Sequence, residues 1–165
     1  MSARYYTGVG SRETPPEILG LMTAIAKSLQ ARGFTLRSGG ARGADLAFAK
    51  GALQGARIYR PADATPVCYQ IVEMLHPRWD LCDDVVRGLH ARNVLQVLGD
   101  DLKTPSEFLI CWTPDGAQTR AQTSRETGGT ATAIAVACEY DVPVFNLRRP
   151  EAMDLLRAKV PARWH

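Results

Sequence analysis

Residues Phe34 to Leu53 read FTLRSGGARGADLAFAKGAL. A short apolar run through Phe34 and Leu36 breaks at Ser38-Gly39-Gly40, crosses Ala41-Arg42-Gly43 and resumes at Ala44-Asp45 with helical spacing. This pattern predicts a strand, a glycine turn and a helix start. Glycines let the backbone take positive φ and let a ligand approach the main chain closely. The free N–H groups that begin the helix, at its positive dipole end, face whatever sits above the turn. An anion is the natural occupant, and phosphate is the commonest one. Arg42 adds a positive charge inside the turn, and Asp45 adds a carboxylate on the first helical turn.

The neighbouring segments repeat the theme. Arg4 to Val9 reads as a first strand ending in a second glycine turn, Gly10-Ser11-Arg12. Pro15 and Pro16 suit a first helical position, and from Glu17 to Arg32 the residues Ile18, Leu21, Met22, Ile25, Ala26 and Leu29 keep helical spacing up to Gly33. Ala56 to Arg60 reads as a third strand, stopped by Pro61, which completes βαβαβ, half of a doubly wound sheet. The stretch from Ala62 to Lys103 reads as a helical insertion, with helices over Val67 to Leu75 and Asp83 to Leu98. Glu107 to Trp112, EFLICW, is a central strand whose exit is Thr113-Pro114-Asp115-Gly116. Ala117 to Thr127 reads as a mobile polar loop carrying Arg120, Arg125 and Glu126. It leads to a third glycine turn, Gly128-Gly129-Thr130, then a small-residue helix over Ala131 to Tyr140, the strand VPVFNL (Val142 to Leu147) and a last helix over Pro150 to Lys159.

Composition sets the outer limits. A chain of 165 residues, 45% apolar and 22% charged, suits one folded domain (1–165). A net charge of +3 does not by itself argue for duplex binding, although a local arginine patch can hold phosphates. No apolar run reaches membrane-spanning length and the N-terminus lacks a signal-peptide pattern, so a cytoplasmic protein is expected. Cys68, Cys82, Cys111 and Cys138 form none of the close pairs that zinc sites use, so no metal is expected and reduced, largely buried cysteines are; no cofactor is expected either.

With strands in the order 3-2-1-4-5, the order reverses between the first strand and EFLICW, and ligands bind at such a reversal. The turns Gly10-Ser11-Arg12, Ser38 to Gly43, Thr113 to Gly116 and Gly128 to Thr130 then share one crevice. Ser38-Gly39-Gly40-Ala41-Arg42-Gly43-Ala44-Asp45, followed by Lys50-Gly51-Ala52-Leu53, resembles the signature of the DNA-processing protein A (DprA/Smf) family. The Gly-Gly-Thr turn with its small-residue helix and VPVFNL is similar to the C-terminal half of the wider SLOG superfamily, which includes the LOG cytokinin-activating phosphoribohydrolases. The resemblance covers most of the chain outside Ala62 to Lys103. It implies a single Rossmann-like α/β domain of about five parallel strands flanked by helices, holding nucleotide or nucleic-acid phosphate at its glycine turns, and a homodimer.

The sequence also departs from these families. LOG enzymes carry a catalytic glutamate three residues after the threonine of their glycine motif, where this chain has Ala133, and the DNA-processing pattern has a histidine at Ala49. Binding of a nucleotide or nucleotide-derived ligand without chemistry is therefore the leading expectation. The alternatives are N-glycosidic hydrolysis of a nucleoside monophosphate and binding of single-stranded DNA. Arg12 and Arg42 are the expected phosphate clamp. Asp45 either caps its helix or meets a ribose or reacting carbon, and Thr130 either caps its helix or contacts the anion. Glu126, with Asp45, is the candidate general acid or base if chemistry occurs. His90, Arg92 and Asn93 share one helical turn and either reach over the ligand or form a helix surface. Trp112 and Trp79 are candidates to stack on a base, although Trp112, at a strand end, reads rather as core.

Overall fold

A computed structural model of the chain describes residues 3–161. Five strands, β1 (Arg4–Gly8), β2 (Phe34–Ser38), β3 (Ala56–Ile58), β4 (Leu109–Cys111) and β5 (Val144–Asn146), form one parallel sheet in the order β3-β2-β1-β4-β5. Six helices cover it: α1 (Pro16–Ala31), α2 (Ala44–Ala52), α3 (Pro66–Leu75), α4 (Asp84–Leu98), α5 (Thr130–Glu139) and α6 (Ala152–Lys159). This is the expected single Rossmann-like α/β domain, with the order reversing between β1 and β4.

Burial on both faces dictates this layering. Met22, Ile25, Ala26 and Leu29 repeat at helical spacing along α1 and join Phe48 of α2 and Leu156 of α6 in one cluster. Within that cluster Tyr6, Phe34 and Phe108 pack ring against ring, with centroids 5.5 to 6.3 Å apart. The other face is covered by α3, α4 and α5 through Val72, Val94, Val97, Leu98, Ile134 and Val136. The central strand β4 is buried at every position, so it reads as an apolar run rather than an alternating one.

The two last strands are shorter than their apolar runs suggest, yet the ladder extends past their ends. The amide of Leu109 donates to the carbonyl of Pro143 at 2.8 Å, and that of Leu147 to Cys111 at 2.8 Å. Pro143 has no N–H to return. In the segment from 62 to 103, Ala91, Val94, Val97 and Leu98 place α4 squarely on the sheet, in the position of the helix that crosses from β3 to β4.

The one clear departure is Ala117 to Thr127, expected as a mobile loop. It contains two 3₁₀ turns, Arg120–Gln122 and Arg125–Thr127, the second tied to the loop that leaves β4. Asp115 accepts hydrogen bonds from the hydroxyls of Thr113 (2.8 Å), Ser124 (2.7 Å) and Thr127 and from the amide of Ala117 (3.2 Å). Buried Asn146 binds Thr113 Oγ1 and the Ala117 carbonyl from the next strand. Burial would raise the Asp115 pKa, but the bonds from Thr127, Ser124, Thr113 and Ala117 outweigh it and hold the carboxyl at about 2. The stabilisation is thus full above the usual carboxylate range and is lost as pH falls towards 2. Asp115→Ala strands these donors and is expected to lower stability by about 2–3 kcal/mol, read as a fall of about 5–10 °C in melting temperature at pH 7. A change of under a degree would show that the segment is not held this way.

Candidate functional site

A cavity of about 1260 Å³ opens at the reversal between β1 and β4. Of the predicted residues it is lined by Gly10, Ser11, Arg12, Gly39, Gly40, Asp45, Arg92, Asn93, Glu126, Gly128, Gly129 and Thr130. The three glycine turns therefore converge. Ser38, Arg42, Gly43 and Thr113 do not line it. Ser38 is buried, its hydroxyl donating to the Gly8 carbonyl at 2.6 Å. Thr113 is buried in the Asp115 network. Arg42 is exposed. Gly43, at φ +88°, closes against the backbone of Ser11 and Arg12, where a Cβ would lie 3.0 Å from the Ser11 oxygen.

The turn from Ser38 to Gly43 behaves differently from a vacant phosphate cradle. Gly43, without a side chain, stands at the N-cap, and Asp45 does not cap α2 in the ordinary way. Its carboxylate folds back onto the turns instead, accepting from the amide of Ala41 at 3.2 Å and interacting with the amides of Gly39 and Gly10. Asp45 is almost fully buried at the cavity floor. Burial raises its pKa to about 6, and these amides together with Arg92 only partly offset the effect. The chain thus supplies its own anion to this part of the turn.

One turn of α4 joins the two sides of the cavity. Arg92 Nη1 donates to the carbonyl of Gly39 at 2.7 Å and, more weakly, to that of Tyr59 at 3.4 Å. Asn93 Nδ2 donates to the carbonyl of Gly129 at 3.2 Å. His90 Nδ1 lies 2.7 Å from Thr132 Oγ1 in α5. Burial, then His76 and Arg92, lowers the His90 pKa to about 4, so its imidazole is neutral at physiological pH. A Cβ on Gly39 would lie 2.6 Å from Arg92 Nη1 and against Gln96 Nε2, so a larger residue here would have to displace the ends of these two side chains.

Space for an outside anion lies on the opposite wall. Gly129 caps α5, Thr130 is its first residue, and their amides have no acceptor among the described residues. Arg12, Arg60 and Arg125 line the same cavity with exposed side chains. Glu126 is exposed on this lining, and Ala133 lies at the position where LOG enzymes carry their glutamate. Arg60, Arg125 and Gln96 were not expected in the site. Arg60 follows the strand β3, and its neighbour Pro61 marks a loop at the sheet's ligand-binding edge, which was the available signal. Gln96 carries a buried Oε1 with no hydrogen-bond partner and lines the cavity; its sequence context is that of a core helix. Trp112 is buried, as expected of core.

No family model matches the chain, and no curated protein matches it. Among solved structures, it is similar to DNA processing protein A from Helicobacter pylori, a protein described by its single-stranded DNA binding mode, at 18% identity and a TM-score of 0.56, over 98% of this chain and 74% of that one. The two share the Rossmann-like fold. No helix among the described residues is long and apolar enough to cross a membrane.

Proposed function

We propose that the cavity binds the phosphodiester backbone of single-stranded nucleic acid and does no chemistry on it. The observation that carries this reading is the placement of Arg12, Arg60 and Arg125 on one cavity with the unpaired amides of Gly129 and Thr130. Amides at a helix start and forked guanidinium groups are both suited to phosphate oxygens. The fold shared with a DNA processing protein supports the same choice of ligand. Ala133 in place of a catalytic glutamate supports binding over hydrolysis, leaving Glu126 and Asp45 as the carboxylates that a hydrolytic reaction would have to use.

A single nucleotide is the second reading. It is favoured by the enclosed floor, where Asp45 and the unpartnered Gln96 Oε1 offer acceptors deeper than a backbone phosphate needs.

Fluorescence anisotropy with a labelled oligonucleotide, titrated across salt, separates these. Arg12→Ala combined with Arg125→Ala is expected to reduce the salt slope by about 1.4, at about 0.7 per phosphate contact on a single strand, and to weaken binding uniformly across sequences. Arg42→Ala, outside the cavity, is expected to leave affinity within about twofold. An unaltered double variant would remove the cavity from nucleic-acid binding. Full displacement of the oligonucleotide by a nucleoside monophosphate would favour the second reading, and release of free base lost in Glu126→Ala would replace both with hydrolysis.

A further inference from the structure

A second cluster of chemistry-bearing side chains lies outside the phosphate cavity. His76 ends α3, Cys82 ends the 3₁₀ turn Trp79–Leu81, and His90 projects from α4. The segment between α3 and α4 doubles back, so one ligand atom from each comes within 4.8 Å of the others. Cys82 Sγ lies 3.9 Å from His76 Nε2, and the two imidazole rings meet edge to face with centroids 4.5 Å apart. All three side chains are half-buried.

We propose that His76, Cys82 and His90 bind one divalent cation of the zinc type. Two imidazoles and a thiol, with no carboxylate in the group, form a donor set that selects zinc-like ions over magnesium or calcium. The separations suit ligands drawn around one ion with only small side-chain adjustment. The His90 Nδ1 contact with Thr132 Oγ1, at 2.7 Å, is the kind of outer hydrogen bond that fixes a ligating imidazole and leaves Nε2 free. His76 Nδ1 accepts from the Arg78 amide at 3.0 Å. Ligation through His76 Nε2 therefore moves the ring proton to Nδ1 and gives up that one backbone bond, while the Cys82 thiol releases its proton to solvent.

Three protein ligands leave a fourth position for water or an anion. His76 and His90 line a second cavity, of about 720 Å³, together with Arg120, Ser124, Arg125 and Thr132. His90 lines the phosphate cavity as well, so the cation would sit in the partition between the two. The proposal stands independently of nucleic-acid binding.

The test uses the full chain, treated with chelator and then titrated with cobalt(II) as a spectroscopic stand-in for zinc. One equivalent is expected to give the visible bands of a tetrahedral centre and a thiolate charge-transfer band, both displaced by zinc. Cys82→Ser should abolish the charge-transfer band, Cys138→Ser should leave it intact, and Thr132→Val should weaken cobalt binding by about 10-fold. Cys68 and Cys111 are buried and Cys138 is exposed, so in the Cys138→Ser background Cys82 is the reactive thiol, and zinc should protect it from alkylation. A saturating titration without a thiolate band, a band that survives Cys82→Ser in a protein of unchanged circular dichroism, or alkylation unaffected by zinc would each overturn the proposal.

Discussion

Asp45→Asn is expected to change how stability depends on pH. In the folded chain burial raises the Asp45 pKa from its ordinary 3.8 to about 6, so between these values the folded state holds a proton that the unfolded state has lost. Stability from this group is therefore greatest at low pH and falls as pH rises through about 6. At about 1.4 kcal/mol per unit, the penalty at neutral pH is on the order of 3 kcal/mol. Asparagine cannot ionise, so the stability of the variant relative to wild type should grow by about that amount from pH 4 to pH 7. Denaturant melts at the two pH values measure the difference directly. Parallel curves for wild type and variant would mean that the amides of Ala41, Gly39 and Gly10 compensate the buried charge fully. A carboxylate kept ionised at such expense, on the floor of a cavity, is the signature of a residue selected for its site rather than for stability.

Gly51→Ala is expected to have the opposite effect, at every pH. Gly51 lies where α2 crosses α1, and a Cβ there would run into the carbonyl oxygen of Thr23 and come within 2.9 Å of the Ala26 Cβ. The same crossing is closed by Thr23 Oγ1 donating to the carbonyl of Ala47 at 2.8 Å. Neither obstacle is a flexible side-chain end, so the helices must separate, and Phe48 and Met22 beneath them lose contact with the core. A loss of about 3 kcal/mol follows, seen as a melting temperature lower by about 10 °C. If the variant melts within a degree or two of wild type, the two helices are not packed at this distance.

The strands and glycine turns were legible because each is encoded locally. Apolar runs, proline at helix starts and glycine at strand ends carry their meaning within a few residues, and sheet topology then sends Gly10, Gly39 and Gly128 to one edge. What local spelling did not carry was the direction of the polar groups. Asp45 sits in the middle of the most readable motif, yet its turning back onto the amides of that motif depends on burial from β1 and α4. Asp115 looks like an ordinary turn residue, and its partners Ser124 and Thr127 come from a segment with no periodicity. The cluster of His76, Cys82 and His90 was invisible for the same reason, since its spacing matches no close-pair motif and the packing of α3 on α4 brings it together.

The turn of α4 bearing Arg92 and Asn93 has one more consequence. It grips the carbonyls of Gly39 and Tyr59 on one bank and of Gly129 on the other, so the gap between the banks has a gauge set by a rigid rod instead of by loops. A ligand is measured by that rod: one that fits enters without remodelling the walls, and a bulkier one must first break the rod's own ties.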